Sequence, residues 1–347
     1  MPEQTLAPLV LDTAFATDVQ SHASEVDRGD TPARYILEPL ATAGHLDRPE
    51  LAYRAAVIRE LARYDLSVGF TVWADLMALT YLEQSGTEYA ERVAQALRSG
   101  QRPGITAMAS AFKEFAGAGN IELVAQETAG GFRINGSLAW ASNLYPDALL
   151  VTAVKDENGK NYIVALDADA PGVELGKPFG LLGLNATASA SVKFDNVVVP
   201  HSQVLSADFE EFMSAVRPTF VLLQVAECLG VAEAAITAAQ GRLFGVNQSL
   251  ASDVAATAQR VGKLVARHDE LIATGGTAVD LLELRLAAAE AAVDAAALEV
   301  RVAGGAGYAR GSATSRRFRE ATFIPVQSPS EAQLRWELAQ LKERSAA

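Results

Sequence analysis

The distribution of hydrophobic and polar positions divides the chain into two helical regions with a β region between them. In residues 1–103 the apolar residues recur at helical spacing, with Gly, Pro or Asp at the junctions. Ser85-Gly86-Thr87 breaks this pattern and caps the helix that follows, and Gly100 ends that helix with Pro103 just beyond. The predicted helices are 33–43, 49–64, 66–83 and 88–99.

Residues 104–203 show short runs broken by turns, a pattern that is typical of β-strands. Asn158-Gly159 predicts the tip of a hairpin, and Asn135-Gly136 predicts a turn that ends a short alternating run. A glycine-containing loop is expected between the first two strands. The predicted strands are 105–109, 121–126, 138–143, 148–154, 162–166 and 190–199.

From residue 204 onward the pattern is helical again, and the long apolar stripes predict an antiparallel bundle. We therefore predict a multidomain α+β fold. It consists of an N-terminal α-helical domain (1–103), a central antiparallel β domain of sandwich or barrel type (104–203) and a C-terminal antiparallel helical bundle (204–347). The predicted helices of the last region are 209–244, 249–273, 276–303, 315–322 and 330–342.

Composition and charge limit which binding partners and which cellular compartment we expect for this protein. The chain has 347 residues, half of them hydrophobic, which suits two or three domains with sizeable cores. A net charge of −13 argues against nucleic acid or an anionic membrane as the main partner. Cys228 is the single cysteine, so no internal disulfide can form, and its apolar helical setting predicts a buried thiol. With no leader-like N-terminus and no apolar run of bilayer-spanning length, we predict a soluble, cytoplasmic protein.

Several common kinds of chemistry find no support in the motifs. The four histidines (His22, His45, His201 and His268) are scattered, so the sequence predicts no zinc or iron site. A Gly-x-Ser-x-Gly elbow is absent, and no Gly-x-Gly-x-x-Gly follows a predicted strand. Gly304-Gly305-Ala306-Gly307 follows a predicted helix instead, which favours a tight turn between helices.

Trp140 is the aromatic residue with two competing interpretations. Most tryptophans of sandwich strands lie in the core. Ser142 and Asn143 nevertheless follow it directly and bring polar groups to the end of the strand, where a planar ligand could be held. Spacing alone leaves these two interpretations equal.

The order of the elements and their local motifs resembles the acyl-CoA dehydrogenases, from about residue 36 to residue 341. Trp140-Ala141-Ser142-Asn143 resembles that family's Trp-Ile-Thr-Asn motif, and Arg242-Leu243-Phe244-Gly245 resembles its Arg/Phe-Gly turn. Gly304-Gly305-Ala306-Gly307-Tyr308 matches its Gly-Gly-x-Gly-Tyr turn. The segment 182–200 is similar to Gly-x-Arg-x-Ser running into Val-x-Phe-x-x-Val-x-Val-Pro.

This resemblance implies a four-helix bundle at the C-terminus and FAD held between the bundle and the β domain. The Trp140 motif would contact the isoalloxazine, the glycine turn would lie near the adenosine diphosphate, and the Arg242 turn would reach the FAD of a neighbouring subunit. A homodimer or homotetramer is implied. The implied cofactor-binding residues are Met108, Ala109, Ser110, Trp140, Ala141, Ser142, Arg242, Phe244, Gly304 and Gly305.

Departures from the family pattern concern the flavin contacts and the catalytic base. Met108-Ala109-Ser110-Ala111 replaces Leu-Thr-Glu-Pro, so a flavin-contacting hydroxyl is lost, and Asn185 replaces an arginine. The family's catalytic glutamate aligns with Ser328, and the base position that some relatives use on the first bundle helix aligns with Phe220. Neither position holds a carboxylate. Of the glutamates that could replace it, Glu320 and Glu331 are expected to face solvent, and Glu227 is expected to lie beyond the usual position.

Three functional hypotheses follow from this resemblance. The first is a flavoprotein oxidoreductase that acts on the CH–CH group of an acyl thioester, bound to CoA or to a carrier protein, or of a related substrate. An electron-transfer protein is then a candidate partner. The second is a flavin-dependent monooxygenase, which needs no base for the α-proton, and the third is a non-catalytic subunit of the same fold. Bound flavin in the purified protein would exclude the simplest form of the third.

Overall fold

The computed structural model describes residues 10–346, and it begins with a helical region. Asp12 caps the first helix and Asp65 caps the fourth, each by accepting two backbone N–H groups. Thr87 caps the fifth helix, as predicted, by accepting the N–H of Ala90. The helices are α1 (Thr13–Arg28), α2 (Leu37–Thr42, preceded by a 3₁₀ turn, Ala33–Ile36), α3 (Leu51–Tyr64), α4 (Leu66–Ser85) and α5 (Glu88–Arg98).

The β region forms one eight-stranded sheet, mostly antiparallel, in the order β6-β7-β3-β2-β4-β5-β8. β1 pairs with β4 in parallel, and so does β2 over two residues. The predicted hairpin at Asn158-Gly159 joins β4 to β5. The strands are β1 (Gly104–Ala107), β2 (Val124–Thr128), β3 (Gly131–Ala141), β4 (Leu149–Asp156), β5 (Asn161–Asp167), β6 (Val173–Leu175), β7 (Ala190–Pro200) and β8 (Val204–Ser206).

Two local predictions in the β region are wrong. Residues 105–109 do not form one strand, because β1 ends at Ala107 and a short helix, α6 (Ala109–Phe115), follows it. Asn135-Gly136 is not a turn, because β3 continues through it with a register shift against β7. Gly136 has a φ of +130°, which a residue with a Cβ rarely adopts, so the glycine accommodates a bulge inside the strand.

The C-terminal region is helical from Phe209 onward. The predicted stop at Gly304 is instead a bend, because Gly304 has φ 60° and ψ −148° and the helix resumes as far as Tyr308. Ser312 caps the next helix. The helices are α7 (Phe209–Gln240), α8 (Ala251–Thr274), α9 (Ala278–Tyr308), α10 (Ala313–Ala321) and α11 (Glu331–Ala346).

Hydrophobic packing joins the two helical regions. α7 packs against α3, α8 and α9, and one large core contains buried residues from both helical regions. A second core fills the β region. Contrary to the sequence expectation, α7 is long and apolar enough to cross a bilayer, but 83% of its most apolar stretch is buried in protein. The expected absence of a leader concerns residues 1–9, which lie outside the described residues. The domain boundaries at 103 and 203 stay predictions.

Candidate functional site

A cavity of about 630 Å³ lies between the sheet and the two helical regions. Its wall combines residues of α4, β1, α6, β3, α7 and the segments 181–189 and 319–333. A second hollow of about 370 Å³ adjoins it, since Lys113, Ser330 and Gln333 line both. The lining residues that bear on function are Phe70, Trp73, Thr106, Ala109, Lys113, Trp140, Ala141, Ser142, Ser189, Phe220, Arg319, Phe323, Gln327, Ser328, Ser330 and Gln333.

Trp140 lies on the cavity wall and not in the core. Its side chain is 60% exposed, and its ring centroid lies 4.2 Å from that of Phe179. An exposed indole next to a cavity offers an apolar surface to a planar ligand. The core interpretation of Trp140 is therefore wrong for the chain as described.

The end of β3 is fixed by the polar residues that follow Trp140. The Nδ2 of Asn143 donates to the carbonyl oxygens of Thr71 (3.1 Å) and Gly104 (3.2 Å), which ties β3 to α4 and β1. Ser142 Oγ lies 2.7 Å from Ser189 Oγ, and both residues line the cavity. Asn143 thus has a structural role, while Ser142 faces the cavity.

The segment after β1 also reaches this wall. Ala109 lines the cavity, whereas Met108 and Ser110 are buried beside it, and the Ser110 hydroxyl has no hydrogen-bond partner among the described residues. Thr106 lines the cavity as well, and its hydroxyl lies 2.9 Å from that of Tyr81. Thr106 was not among the predicted cofactor residues, although the strand pattern of β1 could have suggested it.

Both positions that align with a family base line the cavity. The backbone carbonyl of Ser328 accepts a 2.9 Å hydrogen bond from Gln224 Nε2. Phe220 packs against Phe112 and Trp73, with ring centroids 4.0 and 5.2 Å away. Among the described residues that line the cavity there is no Asp, Glu or His. The wall thus lacks a side chain that could act as a base near neutral pH.

The three alternative glutamates also lie outside the cavity wall. Glu227 is buried behind Gln327, whose Nε2 donates to it at 2.8 Å, and burial raises the pKa of this carboxyl to about 8. The expectation that Glu320 faces solvent is wrong, because it is buried 3.3 Å from Arg316, and burial raises its pKa to about 7. Glu331 lies at the surface with Arg335, as expected.

A buried polar network supports the segment that carries Ser328. Arg285 on α9 donates to the carbonyl of Ile324 (3.1 Å) and to the side-chain oxygens of Gln327 (3.3 Å) and Gln224 (3.2 Å). Cys228 is buried next to this arginine, as the sequence predicts for a structural thiol. The network was not predictable, because its members come from α7, α9 and a loop.

The remaining predicted cofactor residues lie at one end of the bundle, outside the cavity. Arg242 and Phe244 occupy the turn after α7, and Phe244 is 68% exposed. Leu243 packs on the small core that contains Val302, so this turn lies at the same end of the bundle as Gly304-Gly305. Within one chain, the cavity therefore brings together Ala109, Trp140, Ala141 and Ser142. The bundle-end residues Arg242, Phe244, Gly304 and Gly305 do not line it.

Comparison with known proteins identifies the fold and finds similar sequences among the acyl-CoA dehydrogenases. No family model matches the sequence. A segment of 190 residues is 28% identical to benzylmalonyl-CoA dehydrogenase of Aromatoleum aromaticum, covering 52% of this chain and 50% of the relative. The structure of butyryl-CoA dehydrogenase from Megasphaera elsdenii superimposes with a TM-score of 0.85 at 18% identity, over 94% of both chains. These matches support a relationship to the acyl-CoA dehydrogenase superfamily.

These matches establish the fold but do not decide the activity. The structural likeness confirms the predicted fold class, with helical N- and C-terminal parts around a mostly antiparallel sheet. The matched segments span only 50% to 60% of the length of the curated relatives. A further structural neighbour, KijD3, was solved with FMN and an amino-keto sugar nucleotide, with a TM-score of 0.79 at 18% identity over 95% of this chain and 91% of KijD3. The likeness thus leaves the reaction to be argued from the cavity.

Proposed function

We propose that the chain is a flavin-binding oxidoreductase that takes an acyl thioester or a related substrate into the 630 Å³ cavity. The observation that carries the proposal is the convergence of Trp140, Ser142, Phe220 and Ser328 on one cavity. These positions belong to segments far apart in the chain, and each resembles a functional position of the superfamily.

The residues present fit the ring system of a flavin. The exposed face of Trp140 offers an apolar surface, and Ser142 and Thr106 offer hydroxyl groups on the same wall. When bound, the flavin supplies a two-electron acceptor. We propose FAD and not FMN on the basis of the Gly304-Gly305 and Arg242 motifs, since glycine turns and arginine are groups that bind phosphates.

The aromatic part of the cavity suits the acyl group of a substrate. Phe70, Trp73 and Phe323 line the same cavity as Ser328, and their rings contact one another. The adjoining hollow gives the remainder of a CoA- or carrier-bound thioester a way out past Lys113. The name of the relative, benzylmalonyl-CoA dehydrogenase, supports a thioester substrate, and an electron-transfer protein would be the natural recipient of the electrons.

The missing base limits what the cavity can do by itself. A positioned general base contributes about 10²–10⁴-fold to proton abstraction, and the described wall contains no carboxylate or imidazole among its polar side chains. The chain can bind and orient the substrate and exclude water from it. We infer that it does not abstract an α-proton at the rate usual for acyl-CoA dehydrogenases.

The same absence favours a second candidate function, a flavin-dependent monooxygenase, because that chemistry needs no α-proton base. The two functions differ in their response to oxygen. Substrate-dependent oxygen consumption coupled to an external reductant would indicate the monooxygenase. Anaerobic loss of the oxidised flavin spectrum on addition of a saturated acyl-CoA would indicate the dehydrogenase.

The visible spectrum of the purified protein tests the proposal, together with identification of the released flavin as FAD or FMN. Trp140→Ala should weaken flavin retention at least several-fold, since it removes the aromatic surface on the wall. Val198→Ala is the matched control, because Val198 is an exposed apolar residue on the neighbouring strand β7. A wild-type protein that neither retains nor takes up flavin would exclude both candidate functions and leave the non-catalytic subunit.

A further inference from the structure

The hydroxyl of Ser142 is the first of three connected hydroxyl groups that run from the cavity wall into the protein. Ser142 Oγ and Ser189 Oγ are 2.7 Å apart, and Ser189 Oγ and Thr187 Oγ1 are also 2.7 Å apart. Thr187 Oγ1 in turn lies 2.8 Å from the carbonyl oxygen of Leu184. Thr187 is completely buried and Ser189 nearly so. Distances this short require one proton between each pair of oxygens.

The carbonyl at the inner end fixes the direction of every bond in this chain. A carbonyl oxygen can only accept, so Thr187 donates its single hydroxyl proton to Leu184. Ser189 must then donate to Thr187, and Ser142 must donate to Ser189. The proton of Ser142 is therefore engaged by Ser189 and is not available to a ligand in the cavity. Toward the cavity, Ser142 presents only the lone pairs of its oxygen.

The backbone around this chain is strained, which indicates a built site. Asn143, Leu184 and Ala188 have φ values of 59°, 62° and 46°. Non-glycine residues such as Leu184 and Ala188 keep this left-handed conformation only where the surrounding structure holds them there. The N–H of Asn143 donates to the carbonyl of Thr187 (2.8 Å), so the strained segments hold each other in place.

We propose that this directed hydroxyl chain makes Ser142 an obligate hydrogen-bond acceptor and thereby favours the reduced state of a flavin bound in the cavity. The inference rests on the proposed flavin binding. An oxidised isoalloxazine presents one ring N–H and several acceptor atoms at its polar edge, whereas the reduced ring carries additional N–H donors. An acceptor-only group on the wall therefore gains a partner on reduction. Ser189 and Thr187 are positioning residues that act through Ser142.

Thr187→Val tests the proposal without changing the cavity wall, because Thr187 does not line it. Without the Thr187 oxygen, Ser189 can turn its proton toward Ser142, and Ser142 can then donate to an acceptor atom of the oxidised ring. The measurement is the flavin midpoint potential, followed spectroscopically during reductive titration. A neutral hydrogen bond changes the reduced-to-oxidised ratio by about threefold to tenfold. For a two-electron couple this is a shift of about 15 to 30 mV, here to a more negative potential.

Three further variants separate this effect from a loss of stability. Thr152→Val is the matched control, because Thr152 is also a completely buried threonine that donates to a carbonyl, that of Ala107, at 3.0 Å. It should leave the potential unchanged. Thr187→Ser keeps the hydroxyl and should restore the wild-type potential. If Thr187→Val does not fold, Ser189→Ala removes the acceptor of the Ser142 proton and should give the same negative shift.

The outcomes distinguish this inference from the proposed function. Bound flavin with an unchanged potential in Thr187→Val and Ser189→Ala overturns the directed chain and leaves the proposed function intact. A positive shift also overturns it. A protein that takes up no flavin overturns the proposed function and this inference together.

Discussion

At the scale of single residues, the proposed function depends most on Ser328, the residue predicted to occupy the position of the catalytic base. Its backbone is held by Gln224, so the position is well defined even though the carboxylate is absent. The Ser328 hydroxyl is buried and has no hydrogen-bond partner among the described residues. A serine hydroxyl is a far weaker base than a carboxylate, and no histidine lines the described cavity wall to activate it. We therefore expect wild-type protein to show little or no flavin reduction with saturated acyl-CoAs under anaerobic conditions.

Restoring a carboxylate at this position should restore proton abstraction. Ser328→Glu brings a base to the wall of a cavity that has room for it, and a positioned base is worth about 10²–10⁴-fold in rate. The measurement is the anaerobic rate of flavin reduction by a series of saturated acyl-CoAs. Ser328→Gln is the matched control, because a glutamine has the size of a glutamate but no negative charge.

Two results would contradict this account of Ser328. Fast reduction in the wild type would mean that another base reaches the substrate. Equal rates in the Glu and Gln variants would mean that residue 328 is not aimed at the substrate. Flavin content should be equal in all three proteins, so that the rates are comparable.

The residues of the cavity differ in how far sequence could identify them. Trp140, Ser142 and Ser328 were predicted through motifs, and all three line the cavity. Gln327 and Ser189 were not predicted as site residues, because their roles arise from partners on other elements. Local motifs record what lies next to a residue along the chain, whereas a directed hydroxyl chain or a buried network exists only after folding.

At the scale of secondary-structure elements, the segment between α10 and α11 is held from behind by α7 and α9. Gln327 accepts from Arg285 on α9 and donates to Glu227 on α7. Burial raises the pKa of Glu227 to about 8, so this carboxyl is protonated in the folded protein at neutral pH. In the unfolded chain the same group loses its proton near its ordinary pKa of about 4.5.

This difference predicts a pH-dependent effect of Glu227→Gln on stability. Between pH 4.5 and 8 the folded state binds one more proton at Glu227 than the unfolded state, so this group costs stability as the pH rises. Gln keeps the oxygen that accepts from Gln327 and does not titrate. The variant should match the wild type near pH 5 and become progressively more stable than it up to pH 8, by roughly 1.4 kcal/mol per unit of pKa difference.

Denaturant unfolding at several pH values measures this difference. Glu331→Gln is the control, because Glu331 is exposed at the surface and its substitution should give a curve parallel to the wild type. If Glu227→Gln were instead less stable at all pH values above 5, Glu227 would be an ionised partner of Arg285, and the assigned direction of its pKa shift would be wrong.

The helices were predictable where the apolar repeat continues over many turns. The helices from α3 to α5 and from α7 to α9 agree with their predicted counterparts within a few residues at each end, because many turns repeat the same buried stripe. One full-length helix, α1, was not predicted. The other failures are short or lie at glycines. α6 has seven residues after a strand of four, and Gly136 and Gly304 permit a bulge and a bend where the sequence suggested chain reversals.

At the scale of the whole molecule, the described chain divides its predicted cofactor residues between two places. Trp140 and Ser142 line the cavity, whereas Arg242, Phe244 and Gly304-Gly305 lie at one end of the bundle and outside it. Phe244 and Tyr308 are large apolar side chains at that end, and Tyr308 is 82% exposed. Large apolar side chains that are exposed at one end of the bundle are candidates for a surface of protein association.

We therefore predict a homodimer or homotetramer in which the Arg242 turn of one chain completes the flavin site of another. Sedimentation should show no monomer at micromolar concentration, because obligate interfaces of this kind are large and apolar. Phe244→Asp introduces a charge into the interface and should both shift the protein toward monomer and lower its flavin content. Val124→Asp is the matched control, since Val124 is also an exposed apolar residue but lies on β2 of the sheet. A wild-type monomer that retains flavin would exclude the shared site, because one chain would then hold the cofactor without the Arg242 turn of another.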